Sequence, residues 1–150
     1  EGTWRRLEKR GMTANGTLVY DDYAHHPTEA RASLSALREL YPRGEKTITV
    51  LFQPHLYSRT KALFNDFITA FDDADNVLFL PIYFAREDPD PEVSSEKLAD
   101  AVRLSRGEAI AFSSFEEAEA HIKKMNLGAK DVLVTMGAGE AYKIGDNLLK

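Results

Sequence analysis

Short apolar runs separated by segments of helical periodicity constrain this chain's fold more than anything else in its sequence. The runs are Thr47–Phe52, Asn76–Leu80, Ala109–Phe112 and Asp131–Met136, each carrying the β-branched or aromatic residues of a buried strand. Pro27 suits a first helical turn, where its missing N–H is no loss. Ala30, Leu34, Leu37 and Leu40 then keep helical spacing to about Tyr41, and Pro42 and Gly44 end it. Ser58 is placed to cap a second helix with the stripe Leu63, Phe64, Phe67, Ile68 and Phe71. A third helix starts at Ser94 or Ser95 and runs to about Leu104. A fourth runs to Met125 behind the capping-box pair Ser114 and Glu117, and Asn126 and Gly128 end it. The last covers roughly Glu140 to Leu149. Strands alternating with helices predict an α/β domain: a mostly parallel sheet with helices on both faces. At the start, Asn15-Gly16 lies between two extended segments and predicts a type I′ hairpin. Pro81 to Val93 reads as a long acidic loop, and such loops in compact domains are often functional.

The chain has 150 residues, 43% of them hydrophobic and 29% charged, which suits one globular domain. A formal charge of −5 without any basic block argues against nucleic acid or an anionic membrane as partner. The absence of cysteine excludes disulfides, thiolate metal sites and cysteine nucleophiles. No apolar run approaches the ~18 residues of a membrane span, and no signal peptide opens the chain. The first residue is Glu, so the chain reads as a piece of a longer polypeptide.

Chemistry concentrates in two segments about thirty residues apart, Asp21–Glu29 and Phe52–Thr60. Each sits where an apolar run gives way to a helical pattern, and such junctions line the ligand crevice of open α/β sheets. Asp21-Asp22 suits Mg²⁺ ligation, hydrogen bonds from ribose hydroxyls, or simple termination of a strand. His25-His26 is either a metal pair or one crevice imidazole beside one that faces solvent or caps the helix. His55 follows Pro54 at a strand exit. Arg59 falls one turn into a helix, where the dipole disfavours a cation; it binds an anion there, or pairs with Asp66 or Glu29. Gly137-Ala138-Gly139 follows the last strand. It suits close approach of an anion to backbone N–H groups, or is only a tight turn. Tyr142 stands where a dinucleotide fingerprint has its third glycine. There is no G-x-x-x-x-G-K-[ST] loop in the sequence, so if ATP is used, another domain holds its β- and γ-phosphates.

The two segments, Asp-Asp-Tyr-Ala-His-His-Pro-Thr-Glu at 21–29 and Phe-Gln-Pro-His-Leu-Tyr-Ser-Arg-Thr at 52–60, resemble signature stretches of the Mur ligase family, in its alanine-adding branch. Three further stretches are similar in the same order: Gly2 with Arg5-Arg6-Leu7-Glu8, Ile82-Tyr83 with Ala85-Arg86-Glu87, and Leu133–Gly139. Together they cover the carboxyl-terminal domain of such an enzyme, which is Rossmann-like and three-layered. The resemblance implies residues 1–10 as the remnant of a hinge and 11–150 as that domain.

The implied function is ATP-dependent joining of L-alanine to UDP-N-acetylmuramate through an acyl phosphate, in the cytoplasm, for peptidoglycan synthesis. ATP and Mg²⁺ are then held mainly by a preceding central domain, no metal is held here, and the fragment alone is inactive. Residue by residue, the resemblance places Tyr23, His25, His55 and Arg59 at the amino acid and Arg6 and Asp22 at the nucleotide. It leaves Gly137, Ala138 and Gly139 as a candidate anion turn, with no residue of this domain marked as catalytic. Leu56 stands where some members carry a second arginine, Leu7 where phenylalanine is usual, and Glu140-Ala141 where Asp-Ile is common. Two alternatives are a murein-tripeptide recycling ligase, in which Phe52-Gln53-Pro54-His55 is not expected, and a non-catalytic nucleotide- or anion-binding module.

Overall fold

A computed structural model describes residues 6–150. It contains one six-stranded sheet in the order β1-β2-β6-β3-β4-β5. The strands are β1 (Glu8–Met12), β2 (Leu18–Asp22), β3 (Thr47–Phe52), β4 (Asn76–Phe79), β5 (Ala109–Ala111) and β6 (Asp131–Met136). The helices are α1 (Pro27–Leu40), α2 (Tyr57–Ala62), α3 (Phe64–Ile68), α4 (Ser95–Arg106), α5 (Phe115–Lys124) and α6 (Tyr142–Leu148). β1 pairs antiparallel with β2, and every other pairing is parallel. Gly2 and Arg5 of the hinge motif lie outside the described residues. Glu8, Lys9 and Arg10, which the resemblance puts in the hinge, form part of β1.

The two-residue period of β3 explains the three layers. Ile48, Val50 and Phe52 point to one face, where Leu34 and Leu37 of α1, Phe67 and Phe71 around α3, and Leu98 and Val102 of α4 cover them. Leu51 points to the other face, with Leu133, Ile122 of α5 and Ile144 of α6. Phe52, Phe67, Phe71 and Phe79 are all buried, and Phe52 and Phe71 each contact Phe79 edge-on. Truncating one such ring to alanine costs about 3–5 kcal/mol.

Some local expectations needed correction. The hairpin turn is not type I′. Gly16 N–H donates to Thr13 O (2.9 Å), Thr13 N–H donates to Thr17 O (2.9 Å), and only Gly16 takes a positive φ (93°). The central pair is therefore Ala14-Asn15, a three-residue loop closed by a left-handed glycine. Backbone space explains why: a Cβ on Gly16 would lie 3.1 Å from Ala129. The expected helix from Ser58 through Phe71 is not one helix: the backbone breaks at Leu63 between α2 and α3, and α3 ends at Ile68. Ser58 lies inside α2 and does not cap it; Leu56 occupies that position. Ser114 does cap α5, accepting from Glu117 N–H (3.0 Å), but the Glu117 carboxylate accepts from Ser113 N–H (2.8 Å) rather than closing the box on Ser114. The last helix begins at Tyr142, two residues later than the expected start near Glu140.

Candidate functional site

The register of β2, β6 and β3 brings Asp22, Met136 and Phe52 level with one another, so three strand exits open side by side. The exit of β2 leads through Tyr23 and His25 into α1. Glu29 fixes that entry: its Oε1 accepts from the N–H groups of both His25 and His26 (3.1 Å each). A carboxylate there also complements the positive end of the helix. The exit of β3 leads through His55 into α2.

The two exits converge on one cluster. The rings of His25 and His55 lie 5.7 Å apart. Tyr23 packs edge-on against His25 at 5.3 Å, and Tyr83 stacks on His55 at 5.1 Å. Arg59 sits one helical turn beyond His55, with its Nη1 3.1 Å from His55 Nδ1. Burial pushes the His55 imidazole below its usual pKa, His25 and Arg59 push it further, and Glu87 opposes them. Neither Asp66 nor Glu29 pairs with Arg59, and it has no ion-pair partner among the described residues. The surface-salt-bridge alternative is therefore not realised. His25 and His26 diverge less than adjacent residues usually do, with rings 5.0 Å apart. No group of three potential metal ligands forms among the described residues.

Glu87 and Tyr83 were quoted within a motif, but the sequence assigned them no task. Both come from the long loop after β4. Glu87 Oε1 accepts from Tyr57 N–H at 2.6 Å, and its other oxygen accepts from the Ser58 hydroxyl. It supplies the cap that α2 lacks locally. Leu56 N–H donates to Tyr83 O (2.6 Å) and Tyr83 N–H to Pro54 O (2.9 Å). Between these ties Leu56 holds a φ of 73°, which a residue with a branched side chain adopts at a cost of order 1–3 kcal/mol. The strain sits directly between His55 and Arg59.

Asp21 and Asp22 point into the protein. Asp21 Oδ1 accepts from the Thr135 hydroxyl (2.6 Å). Asp22 accepts from Ala24 N–H (2.8 Å), from the Ser33 hydroxyl (2.6 Å) and from Leu7 N–H. Burial raises its pKa, Asp21 adds to the rise, and these three hydrogen bonds oppose it. A carboxylate has about four acceptor positions, so roughly one remains. Asp22 therefore fastens the Arg6–Leu7 segment to the body of the domain. It also borders a cavity of about 590 Å³ lined by Arg6, Leu7, Tyr23, Glu29 and Ser33, within the range of small-molecule sites.

Gly137-Ala138-Gly139 does not open directly into a helix, so it is no helix-terminal anion turn. Gly137 holds a φ of 140°, and a Cβ there would lie 2.9 Å from the Gln53 carbonyl oxygen. A Cβ on Gly139 would collide with Gln53 Oε1. The glycines admit Gln53, whose Nε2 donates to Pro81 O (3.0 Å).

Comparison with known proteins agrees with this geometry. Residues 5–139 match the family described as Mur ligase, glutamate ligase domain. The chain belongs to this Mur ligase family. The domain is 46% identical over 150 residues to a UDP-N-acetylmuramate–L-alanine ligase from Lachnospira eligens, covering all of this chain and 32% of that protein. It spans about a third of the length of the curated relatives it matches. Among solved structures, it superposes on the UDP-N-acetylmuramate–alanine ligase of Thermotoga maritima with a TM-score of 0.74 at 25% identity, covering 96% of this chain and 29% of that one. A domain of a UDP-N-acetylmuramate:L-alanyl-γ-D-glutamyl-diaminopimelate ligase from Haemophilus ducreyi gives 0.69 at 26% identity, covering 96% and 97%. A Mur ligase domain thus accounts for the mostly parallel sheet with its helices.

Proposed function

We propose that this Mur ligase domain serves an ATP-dependent ligase that joins L-alanine to UDP-N-acetylmuramate through an acyl phosphate, in the cytoplasm, for peptidoglycan synthesis. The observation that carries the reading is Arg59: a guanidinium without a carboxylate partner among the described residues, set against His55 at a strand exit. A zwitterionic amino acid brings the missing carboxylate. Arginine grips it through a planar fork of donors, and the Nη1 bond to His55 fixes the fork's direction. Tyr23, His25 and His55 wall the same space. The branch named by the 46% identical relative supports alanine as the amino acid. The structural relatives of the two branches, at 25% and 26% identity, do not separate them, whereas the curated relatives at 42–46% carry the alanine-adding name and favour alanine over the recycling-ligase alternative.

ATP fits the second opening. The cavity beside Arg6 and Asp22 is large enough for a nucleoside, Arg6 offers a cation for phosphate, and Asp22 keeps about one acceptor for a ribose hydroxyl. In this reading Mg²⁺ and the contacts to UDP-N-acetylmuramate are assigned mainly to another part of the enzyme, as the resemblance implies. Phosphate release tests the proposal. The full-length enzyme should release phosphate from ATP only with both L-alanine and UDP-N-acetylmuramate present. Residues 1–150 alone should release none, and alanine-dependent release by that piece would overturn the assignment.

A further inference from the structure

His25 and His55 differ in which ring nitrogen keeps the proton, and their neighbours decide it. His55 Nδ1 lies 3.1 Å from Nη1 of Arg59. A guanidinium only donates, so His55 Nδ1 must hold the lone pair and its proton must sit on Nε2. His25 Nδ1 lies 3.2 Å from the Tyr23 carbonyl oxygen and 3.8 Å from Glu29 Oε1. A carbonyl only accepts, so His25 Nδ1 must carry the proton, which leaves the lone pair on Nε2. Neither Nε2 has a hydrogen-bond partner among the described residues. Two imidazoles with centroids 5.7 Å apart therefore offer opposite chemistry side by side: an N–H donor on His55 and, in the neutral ring, a basic lone pair on His25.

An α-amino acid is polar in the same sense. Its carboxylate only accepts and its ammonium only donates. We propose that this pair sorts the two ends of the incoming amino acid, His55 and Arg59 taking the carboxylate and His25 acting as the general base that frees the amine. The inference rests on the ligase reading above. In the step, an ammonium N–H bond breaks and an Nε2–H bond forms on His25. The positive charge passes to the imidazole, and the nitrogen lone pair becomes free to attack the acyl phosphate carbonyl. That attack expels phosphate, and the imidazolium later returns its proton to solvent. Glu29 is placed to stabilise the imidazolium. Its carboxylate is held below its usual range: burial pushes it up, but the His25 and His26 N–H groups oppose that, and positive charge on either ring lowers it further. The other groups facing His25 are the Tyr23 phenol and the rings of His26 and His55. His55 cannot serve as the base without giving up its bond to Arg59.

Two measurements on the full-length enzyme test this. In the first, ¹⁵N-histidine labelling reads the ring proton positions directly and needs no variant. His25 should show Nδ1–H and His55 Nε2–H; the reverse pattern, or the same tautomer at both, overturns the proposal. In the second, the pH profile of kcat/KM for alanine is followed in His25→Gln and His55→Gln. His25→Gln should fall by about 10²–10⁴-fold and lose the wild-type acidic limb. His55→Gln should keep that limb and mainly raise KM for alanine. Hydroxylamine, an amine already neutral at working pH, should intercept the acyl phosphate equally well in wild type and His25→Gln. An equal loss with hydroxylamine would make His25 merely structural, and an unchanged acidic limb would remove it as the base. If the wild-type enzyme yields no trappable acyl phosphate, the ligase reading itself falls, and the inference with it.

Discussion

The exit of β6 and the exits of β2 and β3 lie next to one another on the same sheet edge, yet they solve opposite problems. At β6, the glycines that looked ready for a ligand make room for the protein's own groups. Gly137 N–H donates to Asp22 O (3.0 Å), and the space a side chain would need is filled by Gln53. At β2 and β3, polar groups are positioned but not consumed. Arg59 spends one donor on His55 and keeps the rest, and both imidazoles leave an Nε2 without a partner among the described residues. A glycine motif records only that something comes close, and here the something is the protein itself. An unspent guanidinium held in place by a neutral ring is the stronger sign of a site.

The comparison breaks most visibly if Arg59 turns out to be dispensable. Arg59→Ala in the full-length enzyme should weaken alanine use about tenfold to several hundredfold, at ~1.4 kcal/mol per factor of ten. Its melting temperature should stay that of wild type. Arg59→Lys should recover only part, since an ammonium lacks the planar fork. Unchanged alanine kinetics in a folded variant would place β3's exit in the same class as β6's.

The opposite signature is expected at β6. Gly137→Ala should cost about 2–3 kcal/mol of stability, because a left-handed φ and a backbone oxygen both oppose a Cβ. A urea titration that moved its midpoint by nothing measurable would show that the turn has room. Gly139→Ala should cost less, about 1–2 kcal/mol, because the clash is with the flexible end of Gln53. Gln53→Ala should relieve it, so a double-mutant cycle should give a favourable coupling. Zero coupling would mean that Gly139 answers to a different neighbour.

A further effect appears only in alkali, is absent near neutral pH and lies away from both exits. Burial, then a hydrogen bond to the Tyr41 hydroxyl (2.7 Å), pushes the Tyr20 phenol up to about 12. The folded state therefore holds this proton more tightly than the unfolded chain, whose tyrosine titrates near 10. The stability from this group is fully present below about pH 10 and is lost as pH rises towards about 12, at no more than ~1.4 kcal/mol per pH unit. Tyr20→Phe should flatten that part of the stability–pH curve. Activity near neutral pH should not change.

The strand–helix alternation was legible because it is local: each run of β3, β4, β5 and β6 carries its own period. The insertion of β6 between β2 and β3 was not, since no local pattern encodes which strands become neighbours. The break at Leu63 was hidden because the apolar stripe that begins there keeps the spacing of an unbroken helix. Tyr23, His25, His55 and Arg59 could be picked from chemistry and resemblance, and the structure gathers them into one cluster. Asp22 could not be read fully. Its tie to Leu7 depends on where the chain before β1 passes, and that tie changes it from an open acid to one with about a single acceptor left. Glu87 was missed for the same reason: a cap supplied from about thirty residues away leaves no trace in the helix it serves.

That remote cap has a consequence for anyone who would re-engineer the cluster at these strand exits. Segments 54–59 and 83–87 share backbone bonds, a ring stack and the Glu87 cap, so they form one transplantable unit and not two. A donor enzyme's His55–Arg59 segment, grafted without its matching loop, would arrive with an uncapped helix and nothing to hold Leu56 in its unfavourable turn. Recombination that respects this pairing moves the unit as a module, whereas a crossover between the two segments severs it.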